Sequence, residues 1–364
     1  MKMILQKHKI TIHKSILFIL FSFILCFHLN AQLKINELSA HKGYTDETGD
    51  ECDWIEVINV GSSTLDLSDY FITDNENNLY KWQFPQEQIA PMELKLICAS
   101  GKDKDYRARH WESLVLATNQ WRYFPGSIAP PVNWNLSSFN DQSWSLGQGG
   151  FGYADNDDNT NVSGVLSIYL RKVFTINDLN EIAYLTLHAD YDDAFVAYLN
   201  GLEIMRSDNL NGFPPSFNTT PNSDHEALLY QGIVPESITL NKIQLDSLLV
   251  QGDNTLAIQV HNISLNSSDM SSNFFLSAGI NSDLYNYQNT PSWFLGFNSN
   301  YHTNFKLSPS EKVLISDQFG NIIDSTTIDS DISLGISKGR SPDGIGNWCY
   351  FNIPSPENLN GNSW

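Results

Sequence analysis

The sequence predicts an all-β protein built from two β-sandwich domains. Short runs of alternating apolar and polar residues dominate the chain, and after the N-terminus almost no segment shows helical periodicity. Residues rich in Gly, Asn, Asp and Pro separate these runs, which is typical of sandwiches. A mature length of about 330 residues favours two domains over one.

Several strands and one hairpin are visible in the pattern. Residues 54–58, 185–189, 195–199 and 255–260 each alternate or form a short apolar run. Asn200-Gly201 separates two such runs, and this dipeptide accepts positive φ at both central turn positions, so we expect a tight hairpin there. Residues 241–249 are the one place where we expect a helix or helical turn.

The first 31 residues have the pattern of a secretory signal peptide. Four lysines and no acidic residue accompany an apolar stretch at residues 15–29, and the small residue Ala31 follows. The stretch is shorter than the ~20 residues of a spanning helix. We therefore expect cleavage after Ala31 and a secreted or cell-surface protein, the alternatives being an uncleaved anchor or a lipoprotein attached at Cys26.

The charge of the mature chain excludes some partners. Loss of residues 1–31 would leave 17 basic against 41 acidic side chains, a formal charge of −24. A chain this acidic repels nucleic acid and anionic membranes, so we expect neither as a partner. No later segment is long and apolar enough to predict a membrane span.

Three cysteines remain in the mature chain: Cys52, Cys98 and Cys349. They are too few for a disulfide framework, and one pair with one thiol left over is the most they allow. Which two would pair stays open. Cys98 alternates with Leu94 and Leu96 on one strand face, which favours a buried apolar role for it.

The outer parts of the chain resemble a bacterial secreted lamin tail domain. The first half is carried by Ile35-Asn36-Glu37-Leu38 and by residues 53–59, 65–70, 72–74 and 82–85. The continuation that such domains place almost directly after Ala99-Ser100-Gly101 resembles residues 302–308 here, followed by 313–316, 322–325, 339–344 and 348–351. The resemblance implies an immunoglobulin-like β-sandwich divided into residues 32–104 and 285–364.

The intervening segment, residues 105–284, is similar to galactose-binding-like jelly-roll modules. Its motifs are residues 139–144, 149–153, 169–174, 192–201 and 252–257. The resemblance implies a second sandwich inserted into the first, which costs little when the ends of the insert lie close together. Modules of this class bind sugars, bind other polymers or space other domains, so the fold does not specify a ligand.

A candidate calcium loop lies within this segment. Asp155, Asp157, Asn159 and Asn161 offer oxygen ligands at every second position, the spacing that calcium loops use. The pattern is incomplete, because Thr160 stands where an EF-hand loop has its glycine. A solvated turn is the alternative interpretation, and Ca²⁺ is the one cofactor that the sequence suggests.

Candidate ligand-binding residues follow or end strands of the same segment: Asp192, Asp193, Arg206, His261 and Asp269. A jelly roll would bring them to one rim, where carboxylates and a histidine suit a polar ligand, a cation or acid–base chemistry. Hydrogen-bonded turns and a surface ion pair are the structural alternatives.

Five aromatic residues are candidates for stacking on sugar rings: Trp121, Tyr123, Trp134, Trp144 and Tyr153. In a β-sandwich most such side chains belong to the core instead.

The sequence lacks the common motifs of a nucleophile, a zinc protease or a phosphate loop. We therefore expect an exported, non-enzymatic binding or adhesion protein whose insert contacts a glycan or another cell-surface component. A structural spacer of a cell-envelope assembly is the alternative. A glycoside or ester hydrolase that uses the acidic rim is a further one.

Overall fold

The computed structural model describes residues 32–47, 49–154, 158–297, 299–330 and 335–361. Within these ranges the protein is all-β, as the sequence predicts, with a single short α-helix. The chain divides into two compact units. Unit 1 extends to Asp105 and resumes at Asn300, and unit 2 is the intervening Tyr106–Ser299.

The first part of unit 1 contains seven strands among its described residues: β1 Leu33–Thr45, β2 Glu51–Asn59, β3 Leu65–Asp66, β4 Tyr70–Thr73, β5 Trp82–Gln83, β6 Gln88–Ile89 and β7 Leu94–Ala99. Unit 2 contains β8 His110–Val115, β9 Gln120–Pro125, β10 Ser145–Gln148, β11 Phe151–Gly152, β12 Thr160–Asn161, β13 Ser167–Ile176, β14 Ile182–Tyr191, β15 Ala194–Leu199, β16 Leu202–Arg206, β17 Glu236–Asn241, helix α1 Lys242–Leu248, β18 Gly252–His261 and β19 Ser272–Ile280. Unit 1 then ends with β20 Tyr301–His302, β21 Lys312–Asp317, β22 Ile322–Thr327, β23 Ser337–Ser341 and β24 Asn347–Phe351.

Unit 1 is a β-sandwich. One sheet has the order β20-β7-β2-β1-β23-β24 and another has the order β22-β21-β4-β5. Apolar side chains from both parts of the chain form one core, including Leu33, Ile35, Ile55, Val57, Ile72, Ile97, Tyr301, Phe305, Val313 and Ile315. The two stretches that flank unit 2 in the sequence therefore belong to one hydrophobic core.

The strands on either side of unit 2 pair directly. β20 lies parallel to β7, with Tyr301 opposite Ile97. Lys104 N–H donates to the carbonyl of His302, and His302 N–H donates to the carbonyl of Lys104, each at 2.8 Å. The two ends of unit 1 where unit 2 is inserted thus lie side by side.

Two neighbouring strands of unit 1 are also joined covalently. Cys52 on β2 and Cys98 on β7 form a disulfide with a Cα–Cα distance of 5.8 Å. Cys98 is fully buried, as its strand pattern predicts, but it is half of a crosslink and not a free apolar filler. Cys349 on β24 is a free cysteine.

Unit 2 is a second sandwich. Its larger sheet has the order β10-β9-β13-β18-β15-β16, and its smaller sheet has the order β17-β14-β19-β8. The chain passes repeatedly from one sheet to the other, as in a jelly roll. Buried side chains such as Leu170, Leu187, Phe195, Ile258 and Leu276 fill the space between the sheets.

The local predictions within unit 2 are confirmed. Asn200 and Gly201 both have positive φ, at 51° and 92°, and connect β15 to β16 in a two-residue hairpin. The expected helix is α1, which begins after Asn241. The Asn241 side chain accepts the N–H of Gln244, and the Gln244 side chain accepts the N–H of Asn241, which is a capping box.

The second boundary of the insert differs from the expected one. Residues 285–299, expected in the second half of unit 1, belong to unit 2. The N–H groups of Asn286 and Tyr287 donate to Glu112 Oε2 at 3.0 and 3.1 Å, and Trp293 packs against His188. This segment covers the outer face of the smaller sheet, whose aromatic side chains would otherwise face water.

We expect unit 1 to fold without unit 2. Replacing residues 106–299 by a short Gly-Ser linker should give a monomer that unfolds cooperatively and retains the Cys52–Cys98 disulfide, because Lys104 and His302 already lie within hydrogen-bonding distance. Calorimetry and mass spectrometry would measure both properties.

A second deletion provides the control. Removing only residues 106–284 leaves Trp293, Phe294 and Phe297 without their partners in unit 2, so this variant should aggregate. Folding of the second variant but not of the first would contradict the boundary.

Among the described residues, none of the helices has the length and apolarity to cross a bilayer.

Candidate functional site

The candidate site centres on residues 207–235, a long connection between β16 and β17 that we call the 207–235 segment. Side chains at the ends of β14 and β15 hold it in place. Asp190 Oδ1 accepts the N–H groups of Leu228 and Leu229 at 2.7 and 3.0 Å. The ring of His225 stacks on Tyr191 with centroids 4.2 Å apart. These contacts attach the middle of the segment to the rim of unit 2.

Asp193 is the main anchor of this segment. Its Oδ1 accepts the N–H of His225 at 3.0 Å, and its Oδ2 accepts the N–H of Ile263 at 2.6 Å. Its carbonyl accepts the side-chain amide of Asn209 at 3.2 Å. Both carboxylate oxygens therefore hold backbone in place, and Asp193 joins the 207–235 segment to the turn after β18.

Arg206 is occupied by contacts within unit 2. Its guanidinium forms two bonds with the carboxylate of Glu203, at 2.5 and 2.7 Å, and these bonds are the first cause of its raised pKa. It also donates to the carbonyls of Leu210 and Gly212 at 3.2 and 2.9 Å. Arg206 thus shapes the start of the segment instead of projecting a free charge.

The same guanidinium supports an exposed aromatic ring. The Cζ atom of Arg206 lies 4.0 Å from the ring centroid of Phe213, and Phe213 is 85% exposed. Tyr230, on the same segment, is 71% exposed. The sequence pattern does not reveal either residue, since a ring in a turn-rich connection carries no strand pattern. The neighbouring Gly212 and Pro214 were the one indication of an ordered turn.

His261 is buried beneath this segment. Its Nδ1 lies 2.9 Å from the carbonyl of Thr219, so Nδ1 carries the proton and donates it. Burial lowers the pKa of His261 to about 4, and the ring is neutral at physiological pH. His261 is therefore a further anchor of the segment.

Three carboxylates meet at the rim and form what we call the carboxylate cluster: Asp192, Glu226 and Asp269. One oxygen from each lies within 4.8 Å of the others. Burial, followed by the charges of Asp193 and Asp269, raises the pKa of Asp192 to about 8. The sequence predicts Asp192 and Asp269 at one rim, whereas the exposed Glu226 comes from the 207–235 segment, where no sequence pattern indicates it.

The candidate calcium loop lies partly outside the described residues, since these include neither Asp155 nor Asp157. Asn159 donates its side-chain amide to the carbonyl of Gly149 at 2.7 Å, and Asn161 is exposed at the end of β12. The calcium hypothesis therefore stays a prediction.

The aromatic candidates divide into two groups. Trp121, Trp134 and Trp144 are buried, at 2–5% exposure, and belong to hydrophobic clusters. Tyr123 and Tyr153 are partly buried against the central core. The three tryptophans therefore do not offer a free face to a sugar.

A second acidic group, in unit 1, is neutralised by lysines. Asp46, Glu47 and His302 bring their ligand atoms together, but Lys102 forms an ion pair with Asp46 at 2.6 Å and Lys104 forms one with Glu47. His302 contacts Glu47 through Nε2 at 3.3 Å. We interpret this group as an internal ion-pair network.

No protein-family model and no curated protein matches the chain. Parts of the chain are similar to solved structures. A β-glucuronidase from Bacteroides uniformis is 14% identical over 46% of this chain and 18% of its own, with a TM-score of 0.30. A glycosyl hydrolase family 2 member from Bacteroides cellulosilyticus is 15% identical over 46% and 20%, with a TM-score of 0.27.

A β-glycosidase from Bacteroides vulgatus is 12% identical over 60% of this chain and 33% of its own, with a TM-score of 0.29. This chain thus spans only 18–33% of the length of the three structures. TM-scores this low establish neither a shared family nor a shared activity.

The carboxylate cluster predicts a pH dependence. The folded-state pKa of Asp192, about 8, lies above its ordinary value of 3.8, so its contribution to stability is complete below pH 3.8 and is lost as the pH rises through 8. In EDTA, Asp192→Asn should therefore raise the melting temperature relative to wild type, by an amount that grows between pH 4 and pH 8.

The exposed Asp224 on the same segment supplies the matched control. In scanning calorimetry, the melting temperature of Asp224→Asn should differ from that of wild type by the same amount at every pH in this range. A constant difference between Asp192→Asn and wild type would show that Asp192 ionises normally in the folded protein.

Proposed function

We propose that the chain is an exported, non-enzymatic binding protein and that unit 2 binds a glycan of a cell surface through the 207–235 segment. The observation that carries the proposal is the exposed ring of Phe213, held on the guanidinium of Arg206. A ring fixed before binding loses little conformational entropy, and its free face suits the apolar C–H face of a sugar.

The anchoring contacts explain how an exposed ring is kept in position. Asp190, Asp193 and Arg206 all bind backbone groups of the segment or of its neighbours. Acidic side chains that fix a loop and an aromatic that the loop presents are features of a recognition surface. In this proposal Asp193 and Arg206 act as structural anchors, and the exposed rings on the segment are the ligand contacts.

The same contacts argue against the hydrolase alternative. A glycosidase needs one carboxylate as a general acid and a second as a base or nucleophile, both facing the scissile bond. Both oxygens of Asp193 are engaged by backbone N–H groups, and Asp190 holds two more. These two aspartates are therefore not free to act as a catalytic pair, and we propose a non-enzymatic role for the rim.

For unit 1 we propose a lamin tail domain. The residues that carry the resemblance have a definite structural task. Glu37 accepts the N–H of Ser355 at 3.2 Å and its hydroxyl at 2.8 Å, and Glu56 accepts the N–H of Glu357 at 2.7 Å. These buried acids hold residues 355–357 against the large sheet, which accounts for carboxylates at buried positions of β1 and β2.

Glycan binding should depend on the exposed aromatics. We expect Phe213→Ala to reduce retention of the full chain on a glycan array or polysaccharide affinity gel at least tenfold, and Tyr230→Ala to have a smaller effect. Both substitutions remove exposed rings, so the melting temperature should change little.

The matched control is Phe319→Ala, which removes a ring that is 79% exposed on unit 1. Its retention should equal that of wild type. Equal losses in Phe319→Ala and Phe213→Ala, or no retention of wild type on any glycan, would reject the proposed surface and favour the spacer function. If wild type instead turns over glycoside or ester substrates and Asp193→Asn does not, the hydrolase alternative would be supported.

Calcium is proposed as a structural ion of the loop at residues 155–161. Ca²⁺ should raise the melting temperature of wild type and leave that of an Asp155→Asn, Asp157→Asn double variant unchanged, because carboxylates supply most of the binding free energy. An equal shift with Mg²⁺, or an unchanged wild type, would contradict calcium binding there.

A further inference from the structure

The carboxylate cluster of unit 2 differs from the acidic group of unit 1 in its surroundings. In unit 1, Lys102 pairs with Asp46 at 2.6 Å and Lys104 pairs with Glu47. In the described parts of the chain, no lysine, arginine or histidine forms an ion pair with any acid of the carboxylate cluster. Two groups of similar chemistry therefore differ in whether neighbouring side chains neutralise them.

Asp192 is the buried member of the cluster. It is 5% exposed, and no N–H or O–H group of the described residues donates to its carboxylate. The carboxylate of Asp193 lies within hydrogen-bonding distance, but it is a second acid whose oxygens already accept the N–H groups of His225 and Ile263. A buried carboxylate without donors is costly unless a proton or a cation neutralises it. Asp192 therefore requires a positive charge that the described side chains do not supply.

The spacing of the three acids fits a calcium ion. Ca²⁺ binds oxygen ligands at about 2.4 Å, so two ligands of one ion are at most about 4.8 Å apart. The oxygens of Asp192, Glu226 and Asp269 meet this limit in every pair. Glu226 is exposed, so water can complete the coordination from the solvent side.

The backbone around each acid is already fixed. Asp192 N–H donates to the carbonyl of Ser271 at 3.0 Å, and the Asn262 side-chain amide donates to the carbonyl of Asp269 at 3.0 Å. Glu226 lies between two backbone positions of the 207–235 segment that aspartates of the rim anchor. Binding of an ion would therefore order little more than the three side chains.

The loop proposed to bind calcium begins beside this cluster. Tyr153, two residues before the loop, exchanges backbone hydrogen bonds with Met270 at 3.1 and 3.3 Å, and Met270 follows Asp269 in the chain. The Tyr153 hydroxyl accepts from the Asn262 amide at 3.1 Å, and the same amide donates to Asp269. These contacts involve described residues alone, and they place the start of the loop next to the rim.

We propose that Asp192, Glu226 and Asp269 bind one Ca²⁺ ion, which joins the 207–235 segment to the rim of unit 2. The inference rests on the calcium function proposed for residues 155–161, because the loop starts beside the cluster and we expect a single ion there. It adds three ligands from outside the loop. It also gives the ion a second role, since Glu226 belongs to the segment and the two aspartates do not.

Titration calorimetry of the full chain with CaCl₂, after treatment with EDTA and dialysis, tests the proposal. Wild type should bind one ion per chain. Glu226→Gln should weaken binding at least tenfold, because it removes a charged ligand and keeps the shape of an exposed side chain. Asp192→Asn should weaken binding at least as much. Melting temperatures of each variant with and without Ca²⁺ separate lost binding from a change in the stability of the free protein.

Calcium should also protect the 207–235 segment. In wild type, hydrogen exchange and proteolysis of this segment should slow when Ca²⁺ is added, and in Glu226→Gln they should not. Asp224→Asn is the matched control, because Asp224 is an exposed acid of the same segment outside the cluster, and it should behave as wild type does.

Two results would overturn the proposal. One is calcium binding by Glu226→Gln and Asp192→Asn that equals that of wild type. The other is equally strong binding of Mg²⁺ by wild type, which would indicate a diffuse attraction of cations to an acidic surface.

The outcome is separable from that of the loop calcium. Loss of binding in the Asp155→Asn, Asp157→Asn double variant but not in Glu226→Gln would reject the rim ligands and leave the loop intact as a site. Loss in Glu226→Gln but not in the double variant would support the rim ligands and reject the loop. Absence of calcium binding by wild type would reject both.

Discussion

The closure of unit 1 around the insertion point is the constraint on which the rest of the structure depends. The parallel pairing of β20 with β7 and the two reciprocal hydrogen bonds between Lys104 and His302 join segments far apart in sequence. Because Tyr301 and Phe305 enter the same core as Ile97, neither part of unit 1 can bury its apolar face alone. A folded unit is tolerated between these segments because its insertion leaves the backbone pairing of the host intact.

In both units, buried carboxylates hold irregular segments in place by accepting hydrogen bonds from them. In unit 1, Glu37 and Glu56 hold the segment after β24, and burial raises the pKa of Glu56 to about 8. In unit 2, Asp190 and Asp193 hold the 207–235 segment. A carboxylate has two oxygens with several lone pairs and can satisfy two backbone N–H groups of an irregular segment at once. The acidity of the chain thus contributes to loop order as well as to surface charge.

The 207–235 segment is where these anchoring contacts support the proposed binding surface. Arg206 fixes its start, and the same guanidinium supports Phe213 on the solvent side. On the opposite side, the segment covers the buried ring of His261, whose Nδ1 donates to the carbonyl of Thr219. A connection that is anchored at several points and carries an exposed ring is the type of element on which binding specificity is usually placed.

By itself the sequence determined the all-β class, the Asn200-Gly201 hairpin and the helix after Asn241, because these depend on local periodicity and turn chemistry. Only the tertiary structure decided what depends on contacts between distant residues. These include the assignment of residues 285–299 to unit 2, the bond between Cys52 and Cys98, and the meeting of Glu226 with Asp192 and Asp269. The roles of Arg206 and Phe213 also followed from the structure, since a charge or a ring in a turn has no pattern that reveals its partner.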